Sequence, residues 1–221
     1  MSPTAHQLPV QRTAHFYSLG EPGPQVKRLW FVCHGYGQLA STFIRKFDQI
    51  AGPEDYVIAP EGLSRFYWGG LTGKVAASWM TSADRLDEIA DYTAMLSTIF
   101  QQQRALVPED VQVMLFGFSQ GCATVVRWML REQPDFDQLW LWAGQIPEDV
   151  SYDEVRAQWN TKNLHAFAGK EDPLITPERI ELHRRYIAAA GLNFQEHNYD
   201  GDHRVLREAL AGFARGLIDE M

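Results

Sequence analysis

Five short, nearly unbroken apolar runs constrain the fold of this chain more than any other feature: Leu29 to Cys33, Tyr56 to Ala59, Val111 to Phe116, Leu139 to Trp142 and Leu164 to Ala168. A strand with one face in water alternates apolar and polar residues, whereas a strand covered on both faces does not. The runs therefore predict a mainly parallel sheet with helices on both sides. Phe194 to Tyr199 adds a more exposed late strand. Between the runs lie segments of helical period. Leu86, Ile89, Thr93, Leu96 and Phe100 fall on one face of a helix, with Asp84, Asp87, Glu88 and Asp91 outside it. Leu206, Leu210, Phe213 and Leu217 repeat the pattern, and Cys122 to Leu130, apolar on most sides, predicts a centrally buried helix.

Strand and helix alternate without a linker, internal repeat or low-complexity tract, and 221 residues suit one core. The expectation is one doubly wound α/β domain over residues 1–221. One stretch fits neither period. Glu61 to Thr81 sets Gly62, Gly69, Gly70 and Gly73 among Phe66, Tyr67, Trp68 and Trp79. Loops of this length in compact domains are functional or disordered, and the aromatics argue against disorder. Residues 61–81 are therefore expected to form a loop covering the substrate. Phe66, Tyr67, Trp68 and Trp79 would contact an apolar acyl or aryl moiety, or else pack the loop itself.

A net charge of −8 offers no concentrated basic face, which argues against nucleic acid or an anionic membrane as a standing partner. No apolar stretch is long enough to span a bilayer, and residues 1–12 contain no apolar run of the kind a signal peptide needs. Two cysteines, Cys33 and Cys122, without a leader fit a reducing, cytoplasmic setting and no disulfide framework. Both are expected to be buried as small hydrophobes.

Val111 to Phe116 runs directly into Gly117-Phe118-Ser119-Gln120-Gly121, and helical period begins at once. This is the strand–turn–helix setting of a nucleophile elbow. A serine that presents its Oγ at the edge of a sheet occupies a sharp, strained turn, and glycines two positions to either side remove the Cβ atoms that would collide there. Its hydroxyl needs a histidine to take the proton and a carboxylate to orient that histidine, in the chain order Ser, acid, His. Four histidines follow Ser119. His165 lies in an apolar strand, His183 in mid-helix and His197 along the late strand. His203 instead sits in the turn Asp200-Gly201-Asp202-His203 before the last helix, so it is favoured as the base, with His197 as rival. The run Leu164 to Ala168 ends in Gly169-Lys170-Glu171-Asp172-Pro173, which makes Asp172 the favoured acid. Glu171, Asp149 and Asp153 are alternatives, and Asp202 reads as turn chemistry.

Strand Leu29 to Cys33 is followed by His34-Gly35-Tyr36-Gly37, the type of loop that supplies one N–H to an oxyanion. The second donor would be the N–H of Gln120. His34 itself is expected to brace the loop.

On these motifs, in this order and spacing, the chain resembles the phospholipase/carboxylesterase family of small α/β-hydrolases, which includes acyl-protein thioesterases and bacterial carboxylesterases. The resemblance runs through most of the chain. It implies the α/β-hydrolase fold, with Ser119, Asp172 and His203 as triad and the N–H groups of Tyr36 and Gln120 as oxyanion donors. It also implies no metal and no cofactor. Ser78-Trp79 looks like the family's Ser-Trp element, which helps shape the acyl pocket. Cys122 stands where the family usually has a second glycine, and Gln38 where an acidic residue is common. The expected activity is hydrolysis of a carboxylic ester or thioester through an acyl-serine, on a small-molecule substrate. A binding protein that kept the fold without the activity, and an amidase, lactonase or acyltransferase using the same triad, remain as alternatives. The exposed aromatics leave a homodimer open.

Overall fold

The computed structural model describes residues 2–218. In chain order the first strands and helix are β1 (Phe16–Leu19), β2 (Arg28–Cys33), α1 (Ala40–Phe43, continued by a 3₁₀ turn over Ile44–Phe47) and β3 (Asp55–Pro60). Then come β4 (Ser64–Trp68), β5 (Lys74–Ser78), α2 (Arg85–Arg104), β6 (Gln112–Phe118) and α3 (Gln120–Glu132). The chain continues through β7 (Gln138–Trp142), α4 (Arg156–Trp159), β8 (Asn163–Gly169), α5 (Pro177–Ala190), β9 (Phe194–Tyr199) and α6 (Arg207–Ile218).

Seven strands form one sheet in the order β1-β3-β2-β6-β7-β8-β9. β1 is antiparallel to β3 and the other pairs are parallel. This is the α/β-hydrolase type of sheet. The unbroken apolar runs have their reason in the two cores. Leu29, Phe31 and Cys33 of β2 face one side with α2 and α3, while Trp30 and Val32 face the other with α1 and α6. Trp30, Trp140 and Trp142 are fully buried on that second side, and Trp30 meets Trp140 edge-on at 5.4 Å. Truncating any of them would cost about 3–5 kcal/mol. Cys33 and Cys122 are buried free thiols, and burial pushes both pKa values up.

Two expectations need correction. Residues 61–81 are largely a hairpin: β4 and β5 pair antiparallel from Ser64–Ser78 to Trp68–Lys74. The four glycines hid it by punctuating a strand pair that never joins the main sheet. Leu86, expected on the core face of α2, is 74% exposed. Tyr92, Met95, Leu96, Ile99 and Phe100 form the buried face instead. Among the described residues no helix is long and apolar enough to cross a membrane.

Candidate active site

The parallel strands deliver their C-terminal ends to one edge of the sheet, where loops can converge. At the end of β6, Ser119 adopts φ 52°, ψ −115°, a conformation L-residues rarely take, directly before α3. The turn needs its glycines: a Cβ on Gly117 would lie 2.5 Å from the Gly121 carbonyl oxygen, and one on Gly121 would lie 2.3 Å from that of Cys33. Ser119 N–H donates to Trp142 O at 2.9 Å, so the neighbouring strand also holds the turn.

At the far side of the sheet, β8 and β9 continue their pairing into the loops beyond them. Lys170 N–H donates to Tyr199 O and Glu171 N–H to Gly201 O, each at 3.0 Å. The Tyr199 hydroxyl and the Trp142 indole both donate to Arg204 O. These bonds set Asp172 against His203. Asp172 Oδ2 accepts from His203 Nδ1 at 2.7 Å, and its Oδ1 accepts from the N–H groups of Leu174 and Ile175. His203 Nε2 lies 2.9 Å from Ser119 Oγ. The Asp172 side chain is fully buried, and the His203 ring packs against Phe118.

The other candidates are engaged elsewhere. Asp149 is ion-paired with Arg85 and Arg127, Asp202 with Arg204, and Asp153 accepts from the Ser151 hydroxyl. Glu171 is exposed. His165 and His197 hydrogen-bond to each other at 3.0 Å, and His183 Nε2 accepts from Ile146 N–H. Burial lowers the pKa of His165 and of His183 to about 4.

The His-Gly loop is braced from below. His34 Nδ1 donates to Gly35 O, and its Nε2 accepts from Gly62 N–H. Burial lowers the His34 pKa to about 4, against the opposing pull of the Gly35 carbonyl and Glu61, so the ring is neutral. Gln38 accepts from Gly35 N–H at 3.0 Å. Gly37 N–H donates to Ala77 O on the hairpin. Between these two engaged amides, the N–H of Tyr36 meets no acceptor among the described residues. The Gln120 N–H, in the first turn of α3, has no partner within its helix.

Of the four expected substrate-facing aromatics, none lines the cleft that opens on Ser119 and His203. Phe66 stacks on Tyr36 with ring centres 5.4 Å apart, and Trp68 meets Tyr36 edge-on at 5.6 Å. Trp68 also fills the space over Gly37, where φ is 75° and a Cβ would lie 2.5 Å from the indole. Tyr67 is exposed. Trp79 is buried, stacks on His34 and donates from its indole to His34 O at 2.7 Å. Phe66, Trp68 and Trp79 thus back the His34–Gly37 loop.

The cleft of about 770 Å³ is walled by Ala143, Gly144 and Ile146 after β7, by Leu182 and Tyr186 of α5, and by three arginines, Arg85, Arg127 and Arg179. Sequence reasoning missed the arginines. They are 42 and 52 residues apart on three separate helices, and no spacing rule connects them. It also missed the side chain of Gln120, which accepts from Trp79 N–H and donates to Met80 O. The Cys122 departure is accommodated by Gly144, whose absent Cβ leaves room for the sulfur. No group of three His, Cys, Asp or Glu side chains among the described residues is placed to hold a metal ion.

A family model described as phospholipase/carboxylesterase matches residues 19–215. No curated protein sequence matches the chain. Among solved structures it is similar to acyl-protein thioesterase 2 of Zea mays, at TM-score 0.71 and 16% identity, covering 94% of this chain and 99% of that one. It is also similar to esterase PE8, at 0.65 and 20%, covering 94% and 100%. A third is the Bacillus cereus carboxylesterase, at 0.63 and 13%, covering 94% of each chain. At these identities the likeness is one of fold.

Proposed function

The chain belongs to the phospholipase/carboxylesterase family, and from that membership we propose that it is a serine hydrolase cleaving carboxylic esters or thioesters through an acyl-Ser119 intermediate. The observation that carries the reading is the unbroken chain of contacts Asp172 Oδ2, His203 Nδ1, His203 Nε2, Ser119 Oγ, at 2.7 and 2.9 Å. With Nδ1–H committed to Asp172, the lone pair of Nε2 faces the serine hydroxyl, the tautomer a general base requires.

Ser119 Oγ attacks the carbonyl carbon as His203 takes its proton, and the carbonyl oxygen becomes an oxyanion. The N–H groups of Tyr36 and Gln120 stabilise that oxygen, with the N-terminal dipole of α3 behind the second. His203 returns the proton to the departing alcohol or thiol. Water, deprotonated by the same histidine, then releases the acid.

The test is labelling with a fluorophosphonate probe, wild type beside Ser119→Ala, followed by turnover of p-nitrophenyl acetate. Labelling and turnover are expected in the wild type alone. Equal labelling of the two proteins overturns the assignment of Ser119, and a folded wild type that neither labels nor turns over substrate is a binding protein that kept the fold.

A further inference from the structure

The chain carries a net charge of −8, yet the cleft beside Ser119 is lined by three guanidinium groups and two carboxylates. Asp149 serves two of the arginines at once: Oδ2 accepts from Arg85, and Oδ1 accepts from Arg127 at 2.6 Å. Burial works to raise the Asp149 pKa, but the hydrogen bonds from Arg85 and Arg127 outweigh it and hold the group at about 2, fully ionised. The other acid, Glu148, is hydrogen-bonded by the Tyr186 hydroxyl. The guanidinium of Arg179, on α5 across the cleft, donates to the Leu174 carbonyl and is ion-paired with no carboxylate among the described residues.

Arg127 is the innermost of the three, with 10% of its side chain exposed. Its buried Nε, beside the Tyr92 hydroxyl, reaches no acceptor in good geometry among the described residues. Two carboxylates balance two of the three guanidiniums in the cleft lining. The surplus is positive charge facing the cleft.

The placement of that charge relative to the nucleophile is regular. Ala123 and Arg127 lie four residues apart on one stripe of α3, Ser119 stands four residues before Ala123 at the helix's N-cap, and all three line the cleft. Ala123 keeps the path between the other two open. Eight residues of helix correspond to ~12 Å of axis, and helix side chains lean back toward the N-terminus, so the Arg127 guanidinium comes several ångströms nearer to Ser119 than that. A guanidinium presents paired N–H donors that match a carboxylate.

We infer that the substrates of this enzyme are acidic: esters or thioesters carrying a carboxylate, which Arg85, Arg127 and Arg179 bind while the scissile carbonyl lies at Ser119. This rests on the hydrolase reading above and names the substrate class for that site. Two matched pairs of substrates test it. In the first the carboxylate is on the acyl side, mono-p-nitrophenyl adipate against its terminal primary amide. In the second it is on the alcohol side, 5-carboxypentyl acetate against 5-carbamoylpentyl acetate.

The expected result is that the acid exceeds its amide by about tenfold or more in kcat/KM in at least one pair, and that 0.5 M NaCl shrinks the ratio, as screening requires. Arg179→Gln and Arg85→Gln should each bring the ratio toward one. Arg127→Gln should do so as well, with its thermal unfolding measured to establish that it folds. The neutral amide normalises every variant, so a general loss of activity cancels from the ratio. A wild-type ratio of one or less in both pairs, or a ratio that no arginine variant alters, overturns the inference. If fluorophosphonate labelling of Ser119 persists in that case, the hydrolase reading stands without it; if labelling is absent too, both fall.

Discussion

Gln120 holds the backbone on both sides of Trp79: its Oε1 accepts from Trp79 N–H at 3.2 Å, and its Nε2 donates to Met80 O at 2.9 Å. The residue proposed to donate its N–H to the oxyanion thus anchors, through its side chain, the segment that carries Trp79 under His34. Gln120→Ala keeps the backbone N–H and loses the anchor. Two hydrogen bonds at about 1 kcal/mol each predict a melting temperature lower by roughly 4–8 °C. The fall in kcat on p-nitrophenyl acetate should stay far smaller than for Ser119→Ala. A loss as complete as that of the serine variant would mean that the side chain itself takes part in the chemistry.

Asp172→Asn separates orientation from packing. An asparagine can still accept from Leu174 and Ile175, but its amide would face His203 Nδ1 and favour the wrong tautomer. The expected cost is about four orders of magnitude in kcat with thermal stability close to wild type. A near-normal rate would transfer the role to another carboxylate.

His34, His165 and His183 are each held near pKa 4 by burial. In the unfolded chain they titrate near 6.5. Between these values the unfolded state binds protons that the folded state refuses, so stability is complete above about pH 6.5 and falls as the pH drops toward 4. Each histidine contributes up to about 1.4 kcal/mol per pH unit in that window. Urea unfolding at pH 7.5 and pH 5 should differ by several kcal/mol. His183→Gln, which can still accept from Ile146 N–H, should remove about one proton from the dependence; an unchanged slope would refute the assignment.

Trp68 lies behind Tyr36, away from the cleft. Trp68→Ala should therefore loosen the His34–Gly37 loop and lower kcat on the order of tenfold, short of the hundredfold or more that follows loss of an oxyanion donor. The preference among p-nitrophenyl esters of different chain length should not move. A shifted preference would place the hairpin against the substrate.

The sheet was legible because burial on both faces leaves an unbroken apolar run, and six of its seven strands lie where such runs or the Phe194–Tyr199 pattern fall. β1 escaped because Phe16–Leu19 is a short, largely exposed edge strand. The hairpin escaped because its strands are only five residues each and satisfy one another outside the main sheet. Ser119, Asp172 and His203, which the fold brings into contact, could be singled out because chain order and turn position are recorded in sequence. Which aromatic faces the substrate is not: Trp79 and Trp68 differ in exposure, 1% against 54%, through packing partners that are remote in sequence. The arginine wall was invisible for the same reason.

The pairing of β8 with β9 has a consequence for how the protein is made. Ser119 belongs to the turn between β6 and α3, held also by β7, but the histidine facing it is 84 residues further along and is positioned only once β9 docks at the sheet's edge. A nascent chain emerging from the ribosome would carry Ser119 long before it carries His203, and under the proposed function a serine hydroxyl without its base is a poor nucleophile. Reactivity would thus be withheld until the last strand is in place.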